Sequence, residues 1–337
     1  MSNGFWGKLK DNSSRAGRGI FALAPMADVT DAAFRQIIAK YGKPDVMWTE
    51  FVSADGLALA PKEGKEKLLI NLQYTEAERP IVAQFFTSIP EYMEAAAHLA
   101  KELKFDGVDI NMGCPDRSVE KQGAGASLMK NVKLARELVR SAKRGVGNLP
   151  VSVKTRIGYS KPELEEWLPA ILAEEPAVVT VHARTRKEMS KVPARWEFVK
   201  RAVEIRNEMK SETLILGNGD VRDLNEAMKR VEETGCDGVM LGRAIFGNPW
   251  LFNRGKRSDL GNFKRSDLEE RLRVLIEHAK LFEKLFGNPP AGGKSFSIMK
   301  KHFKAYLSGF DGAGELRAKL METENSREVE QIIMELT

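Results

Sequence analysis

The sequence predicts a (β/α)8 (TIM) barrel followed by an all-helical C-terminal domain. Three observations predict it. From Ile20 onward, short β-branched or apolar runs alternate with longer segments of helical period, which is the pattern of repeated βα units. Eight such runs occur before the pattern stops near Trp250, after which strand signals vanish and the remainder reads as helix. The turn after the first run is PMADVTD, whereas a doubly wound sheet would normally show GxGxxG there.

Taken in order, residues 1–18 are polar and basic, lack the apolar stretch of a signal peptide, and read as a flexible tail. Residues 19–253 hold the barrel, with strands predicted at 20–24, 46–49, 81–85, 107–110, 151–154, 178–181, 213–217 and 238–241. The helix predicted at 90–104 opens with Pro90, which suits a first turn, and spaces Met93, Ala97 and Ala100 along one side. The one at 223–233 starts with Asp223 and has Glu226 three positions on, a capping-box pattern. The stretch GVDINMGCPDRSVEKQGAGASLMKN (107–131) is a buried strand that breaks into a polar, glycine-rich loop, with a helix beginning near Asn131.

Residues 254–337 form the predicted helical domain. Ser266 and Glu269 make a capping box, and Leu268, Leu272, Leu275, Ala279, Phe282 and Phe286 follow as an apolar stripe. A Gly/Pro-rich turn at 287–293 leads to a second helix with Phe296, Met299, Phe303 and Tyr306 inward and Lys300, Lys301 and Lys304 outward. Residues 256–304 contain 12 Lys/Arg against 6 Asp/Glu, an excess equal to the +6 formal charge of the whole 337-residue chain. A basic surface confined to a small helical domain suits a polyanion, although a solvated helix face would have the same composition.

The hydrophobic fraction of 42% is ample for a large core, yet no apolar run approaches the roughly 18 residues that span a bilayer. Two cysteines are too few for a disulfide framework, so a cytoplasmic, reducing setting is expected.

Active sites of (β/α)8 barrels form at the C-terminal strand ends, so polar residues there read as functional. The first predicted strand ends at Pro25, Met26 and Ala27, the third at Gln84, and the fourth delivers Asn111 and Cys114. The fifth brings Lys154 and Arg156, the sixth His182, Arg184 and Arg186, the seventh Asn218, Gly219 and Asp220, and the eighth Gly242 and Arg243. The last two loops, GNGDV and GRAIFGNPW, have glycines that let backbone N–H groups approach a phosphate. Lys154 could neutralise an electron-rich ring such as a reduced flavin. Cys114, in its glycine-rich loop, reads as a reactive thiol, and Cys236, in TGCDGVM, as a small buried hydrophobe. Structural alternatives remain for His182 (a core histidine), Gln84 (bonded to backbone) and the Arg184/Arg186 pair (a solvated loop).

Together these segments resemble the tRNA-dihydrouridine synthases. LAPMADVTDAAFR, TEFVSADGL, VAQFF, INMGCP with GAGASLM, VSVKTRIG, TVHARTR, GNGDV and DGVMLGRAIFGNPW follow one another in the family's order across nearly the whole chain. The likeness is greatest to the bacterial type, nearest the B subclass. It implies FMN on the barrel rim, NADPH or NADH as reductant, and reduction of uridine in tRNA to 5,6-dihydrouridine. By position, Pro25, Met26, Ala27, Gln84, Lys154, His182, Asn218, Gly219, Asp220, Gly242 and Arg243 would hold the flavin. Cys114 would protonate uracil C5 while flavin N5 delivers hydride to C6, and Asn111, Arg184 and Arg186 would orient the base. The tail would bind tRNA; no metal and a monomeric state are expected.

Two other readings compete. A flavin barrel acting on a small pyrimidine, like a dihydroorotate dehydrogenase, would not need the basic tail. A non-catalytic RNA-binding barrel would not need Cys114, Lys154 and both glycine loops together.

Overall fold

In the computed structural model, residues 4–254, 265–287 and 293–335 are described. Eight parallel strands are present: β1 (Ile20–Leu23), β2 (Met47–Ser53), β3 (Ile81–Phe86), β4 (Gly107–Met112), β5 (Val151–Arg156), β6 (Val178–His182), β7 (Leu214–Asn218) and β8 (Gly238–Leu241). Their order is β1-β8-β7-β6-β5-β4-β3-β2. A parallel bridge from Ala22 to Val46 brings β1 back beside β2, with Leu23 N–H donating to Val46 O at 3.2 Å, so the sheet closes on itself. Strands buried on both faces read as continuous apolar runs, which is why all eight were visible in the sequence.

Helices fill the connections: α1 (Gly4–Arg15) before the barrel, then α2 (Ala32–Tyr41), α3 (Ala54–Leu59), α4 (Lys62–Leu69), α5 (Pro90–Glu102), α6 (Arg117–Lys121), α7 (Val132–Val146), α8 (Leu164–Leu172), α9 (Glu197–Glu208) and α10 (Leu224–Thr234). Their starts follow the capping chemistry of the sequence. Asp31, Asn131 and Asp223 accept the backbone N–H groups of Phe34, Leu134 and Glu226, and Pro90 occupies a first turn. Arg35 of α2 forms a fully buried ion pair with Glu78 at 2.7 Å and also donates to Thr30 O at 2.7 Å.

The expected N-terminal tail is instead helix α1. Trp6 is only 1% exposed and lies against Trp48, ring centroids 5.8 Å apart, among Ile20, Val82, Val178 and Leu214 at the end of the barrel opposite the site. Its burial supplies what the polar sequence of α1 lacks: short helices gain most of their stability from tertiary packing.

After the barrel come α11 (Arg265–Phe286), α12 (Met299–Tyr306), α13 (Ala313–Met321) and α14 (Ser326–Met334). The expected stripe is inward, with Leu272, Leu275, Ala279, Phe282 and Phe286 buried beside Met299, Phe303 and Tyr306. Lys301 and Lys304 are exposed. The side chain of Ser266, half of the expected capping box, and residues 288–292 of the Gly/Pro turn are not among those described. The helical region docks on α2: Phe34 stacks on the ring of His278 at 5.0 Å and lies 4.6 Å from that of His302, while Tyr41 donates to Glu277 at 2.6 Å. No helix among the described residues is long and apolar enough to cross a membrane.

Candidate active site

Strand β4 is the spine of the site. Val108, Ile110 and Met112 alternate with Asp109 and Asn111, so the two polar side chains fall on the face opposite their apolar neighbours. Asn111, 6% exposed, pairs in register with Lys154 on β5. Its carboxamide is engaged at both ends. Nδ2 donates to Gln84 Oε1 at 3.0 Å, and Oδ1 accepts the N–H groups of Gly113 (3.2 Å) and Cys114 (2.9 Å).

The loop that presents Cys114 is therefore built, not slack. Arg156 at the end of β5 donates from Nε to Gly113 O at 2.8 Å and from Nη1 to Thr185 O and Met189 O. Cys114 O accepts from Ala126 N–H at 2.9 Å. Gly125, at φ +60°, crosses so near that a Cβ there would sit 2.8 Å from Cys114 O. Burial pushes the Cys114 thiol above its ordinary pKa, with the Asp116 N–H and the charges of Lys154 and Arg156 opposing it. The thiol is thus a proton-holding group at neutral pH, suited to act as an acid.

A cleft opens at the ends of β1 and β5 to β8. Pro25, Met26, Lys154, His182, Arg184, Asn218, Gly219, Asp220, Gly242 and Arg243 line it. Lys154 Nζ lies 3.4 Å from Asn218 Oδ1, and Asn218 is itself fixed by donating to Met240 O at 2.7 Å. Burial, reinforced by Arg156, lowers the Lys154 pKa to about 8. His182 is held well below the ordinary histidine range by burial and by Arg156, Lys154, Arg184 and Arg243, so it is neutral. Asp220 bridges Arg184 and Arg243, the latter at 2.7 Å, and accepts the Ala194 N–H at 2.9 Å. Gly219 has φ +129°, and a Cβ there would come within 2.8 Å of Ala194 Cβ and 3.3 Å of His182 Cδ2.

Of the sequence-predicted site residues, Ala27, Gln84, Asn111, Cys114 and Arg186 fall outside that cleft lining, the Cys114 loop and Asn111 standing beside it at the end of β4. Ala27 is exposed on the loop after β1, and Gln84 is fully buried on β3 between Asn111 and Asp109. Arg184 is 2% exposed and committed to Asp220 and to Val192 O. Arg186 is paired with Glu120 of α6 and lies over the Tyr159 ring, 5.4 Å from its centroid. Cys236 is buried, its thiol donating to Gly238 O.

Sequence reasoning missed Asp109, Ser152 and Glu120 and gave Arg156 no task. The period-2 alternation of GVDINM was the available signal, because it puts Asp109 and Asn111 on one face.

Residues 22–336 match the profile of the family described as Dihydrouridine synthase (Dus). The chain is 38% identical over 334 residues to "Probable tRNA-dihydrouridine synthase 2" of Bacillus subtilis (strain 168), covering 99% of this chain and 96% of that one. It is 37% identical over 337 residues to "Probable tRNA-dihydrouridine synthase" of Staphylococcus aureus (strain COL), with the same coverage. Among solved structures, the histamine dehydrogenase of Rhizobium sp. 4-9 aligns with a TM-score of 0.53 at 12% identity, over 93% of this chain and 61% of that one, a likeness of fold alone.

Proposed function

Because the chain belongs to the dihydrouridine synthase family, we propose that it reduces uridine in tRNA to 5,6-dihydrouridine, with FMN in the cleft and NADPH or NADH as reductant. The observation behind this reading is the register of Asn111 beside Lys154, which sets the Cys114 loop next to a cleft rich in positive charge.

The residues fit a flavin. Lys154 is a mostly buried cation whose hydrogen-bond partner is a neutral amide at 3.4 Å and whose nearby carboxylate, Asp109, is tied up by Ser152 and Gln84, which suits it to an electron-rich ring. Gly219, Gly242 and Arg243 at the last two strand ends suit a phosphate. When bound, a reduced flavin supplies hydride to C6 of the uracil. Cys114 supplies the proton that C5 requires, and its raised pKa keeps that proton in place until it is needed. Arg156, Asn111 and Gly125 fix where the thiol stands. Neutral His182 adds a hydrogen-bonding group without another charge, and Arg184 holds Asp220 in place beside it.

The target base leaves its stack to reach such a cleft. The reading assigns residues 19–253 to catalysis and 254–337 to tRNA binding, with Lys301 and Lys304 on the exposed face of α12. It further assigns the protein to the cytoplasm as a monomer.

The test is direct. Flavin-loaded protein, NADPH and an unmodified tRNA transcript are incubated, and dihydrouridine is measured by nucleoside mass spectrometry, with dihydroorotate oxidation as a parallel assay. Dihydrouridine formation supports the reading; turnover of dihydroorotate with untouched tRNA overturns it.

A further inference from the structure

Beneath Cys114 lies an unbroken line of hydrogen bonds that starts at a group no part of the reaction uses. Asp109 is fully buried in the barrel. Its Oδ1 accepts from Ser152 Oγ and its Oδ2 from Gln84 Nε2 at 2.6 Å. Gln84 Oε1 then accepts from Asn111 Nδ2 at 3.0 Å, and Asn111 Oδ1 accepts from the backbone of Gly113 and Cys114.

The chemistry of these groups gives the line a direction. An ionised carboxylate only accepts, so both neighbours must donate to it. That turns the Gln84 amide so that its nitrogen faces Asp109 and its oxygen faces Asn111. Asn111 must then offer its nitrogen to Gln84 and its oxygen to the loop. Two backbone N–H groups, which only donate, close the far end. A flip of either amide would set nitrogen against nitrogen, or oxygen against oxygen, in a dry interior where unpaired polar atoms are costly.

We propose that Asp109 is a positioning residue for catalysis, fixing the orientation of the Gln84 and Asn111 amides and through them the seat of the Cys114 thiol. The proposal rests on the function proposed above and adds to it a residue that touches neither base nor cofactor. The carboxyl is under tension: burial raises its pKa to about 6, against its hydrogen bonds from Ser152 and Gln84 and the charge of Lys154, with Trp48 on the β2 side. Once protonated it can donate as well as accept, and the line loses its fixed direction.

Two substitutions test this, each with a readout independent of turnover. Asp109→Leu removes the acceptor; Asp109→Asn keeps the shape but can turn over. The rate of Cys114 alkylation by iodoacetamide at fixed pH, followed by peptide mass spectrometry, reports the seat of the thiol in the flavin-loaded protein. Asp109→Leu should alkylate severalfold faster. It should also lower kcat on tRNA by about tenfold to a hundredfold, the scale of a small misplacement, with little change in KM. Asp109→Asn should fall between it and the wild type and lose the acid limb of the kcat–pH profile near pH 6. Unchanged alkylation in Asp109→Leu overturns the proposal. If that variant does not fold, Asp109→Asn decides: Cys114 alkylation at the wild-type rate overturns the proposal, and a raised rate supports it. Altered alkylation in a protein that forms no dihydrouridine would instead retain the positioning role and overturn the proposed reaction.

Discussion

Lys294, in the helical region, forms a salt bridge with Glu50 at the midpoint of β2, where the side chains are 14% and 6% exposed. Glu50 also accepts the N–H of Asp28, two residues past Met26 on the cleft rim. One carboxylate thus joins the helical region to the loop after β1. Removing one partner of a buried pair leaves an uncompensated charge, so Lys294→Met should cost roughly 3 kcal/mol in urea unfolding. A loss below the measurement error would show the bridge to be idle.

Cys114→Ala should reduce dihydrouridine formation by a factor on the order of 10² to 10⁴, the usual contribution of a positioned acid. Flavin content should be unchanged, because Cys114 is held by the loop and by Asn111, not by the cleft lining. Full turnover by this variant would remove the thiol from the mechanism.

Lys154 in the protein without flavin has its pKa lowered to about 8. An anionic ligand favours the protonated form and raises that pKa, so flavin affinity should weaken as pH rises from 7 to 9. Fluorescence titration measures this, and Lys154→Met should bind less tightly at pH 7 with the slope removed. A wild type whose affinity is flat across that range would contradict the assignment.

His278 and His302 are fully buried with ring centroids 4.5 Å apart, and burial lowers both pKa values, that of His302 to about 3. In the unfolded chain each titrates near 6.5. Between these values the unfolded state binds more protons, so the stabilisation is complete above about pH 6.5 and is lost as pH falls. At pH 5 the loss should be about 2 kcal/mol per imidazole. Urea unfolding of wild type and His302→Phe at pH 7 and pH 5 isolates it as a difference. The buried carboxyls of Asp31 and Asp109, with pKa values raised to about 6, shift both proteins alike in the opposite direction. The pH-dependent change should therefore differ by about 2 kcal/mol between wild type and His302→Phe.

The basic surface should make tRNA binding strongly salt-dependent, with affinity falling at least about tenfold between 50 and 200 mM salt. Filter binding or anisotropy would detect it. An affinity that ignores salt would shift recognition to groups other than phosphates.

The barrel was legible because burial on both faces writes each strand as an apolar run. The ends were less so: β4 continues to Met112 and β7 to Asn218 because Asn111 and Asn218 stay in register with Lys154 and His182 after apolarity ceases. The reactive thiol was visible from its loop. Its supports were not, since Arg156 and Asn111 act through backbone groups that any residue could provide. Arg184 and Arg186 looked free because their partners, Asp220 and Glu120, are 36 and 66 residues away in the chain. Helix α1 was missed for a similar reason. Its single large anchor, Trp6, needs a seat assembled from distant strands.

That seat has a temporal consequence during synthesis. Trp6 leaves the ribosome before any strand of the barrel, but Val178 and Leu214, which help receive it, emerge only after most of the barrel has been made. Until then the indole has no complete socket and α1 lacks its principal anchor. Ring closure and seating of the first helix should therefore come late and together, as one cooperative event, instead of growing from the amino terminus.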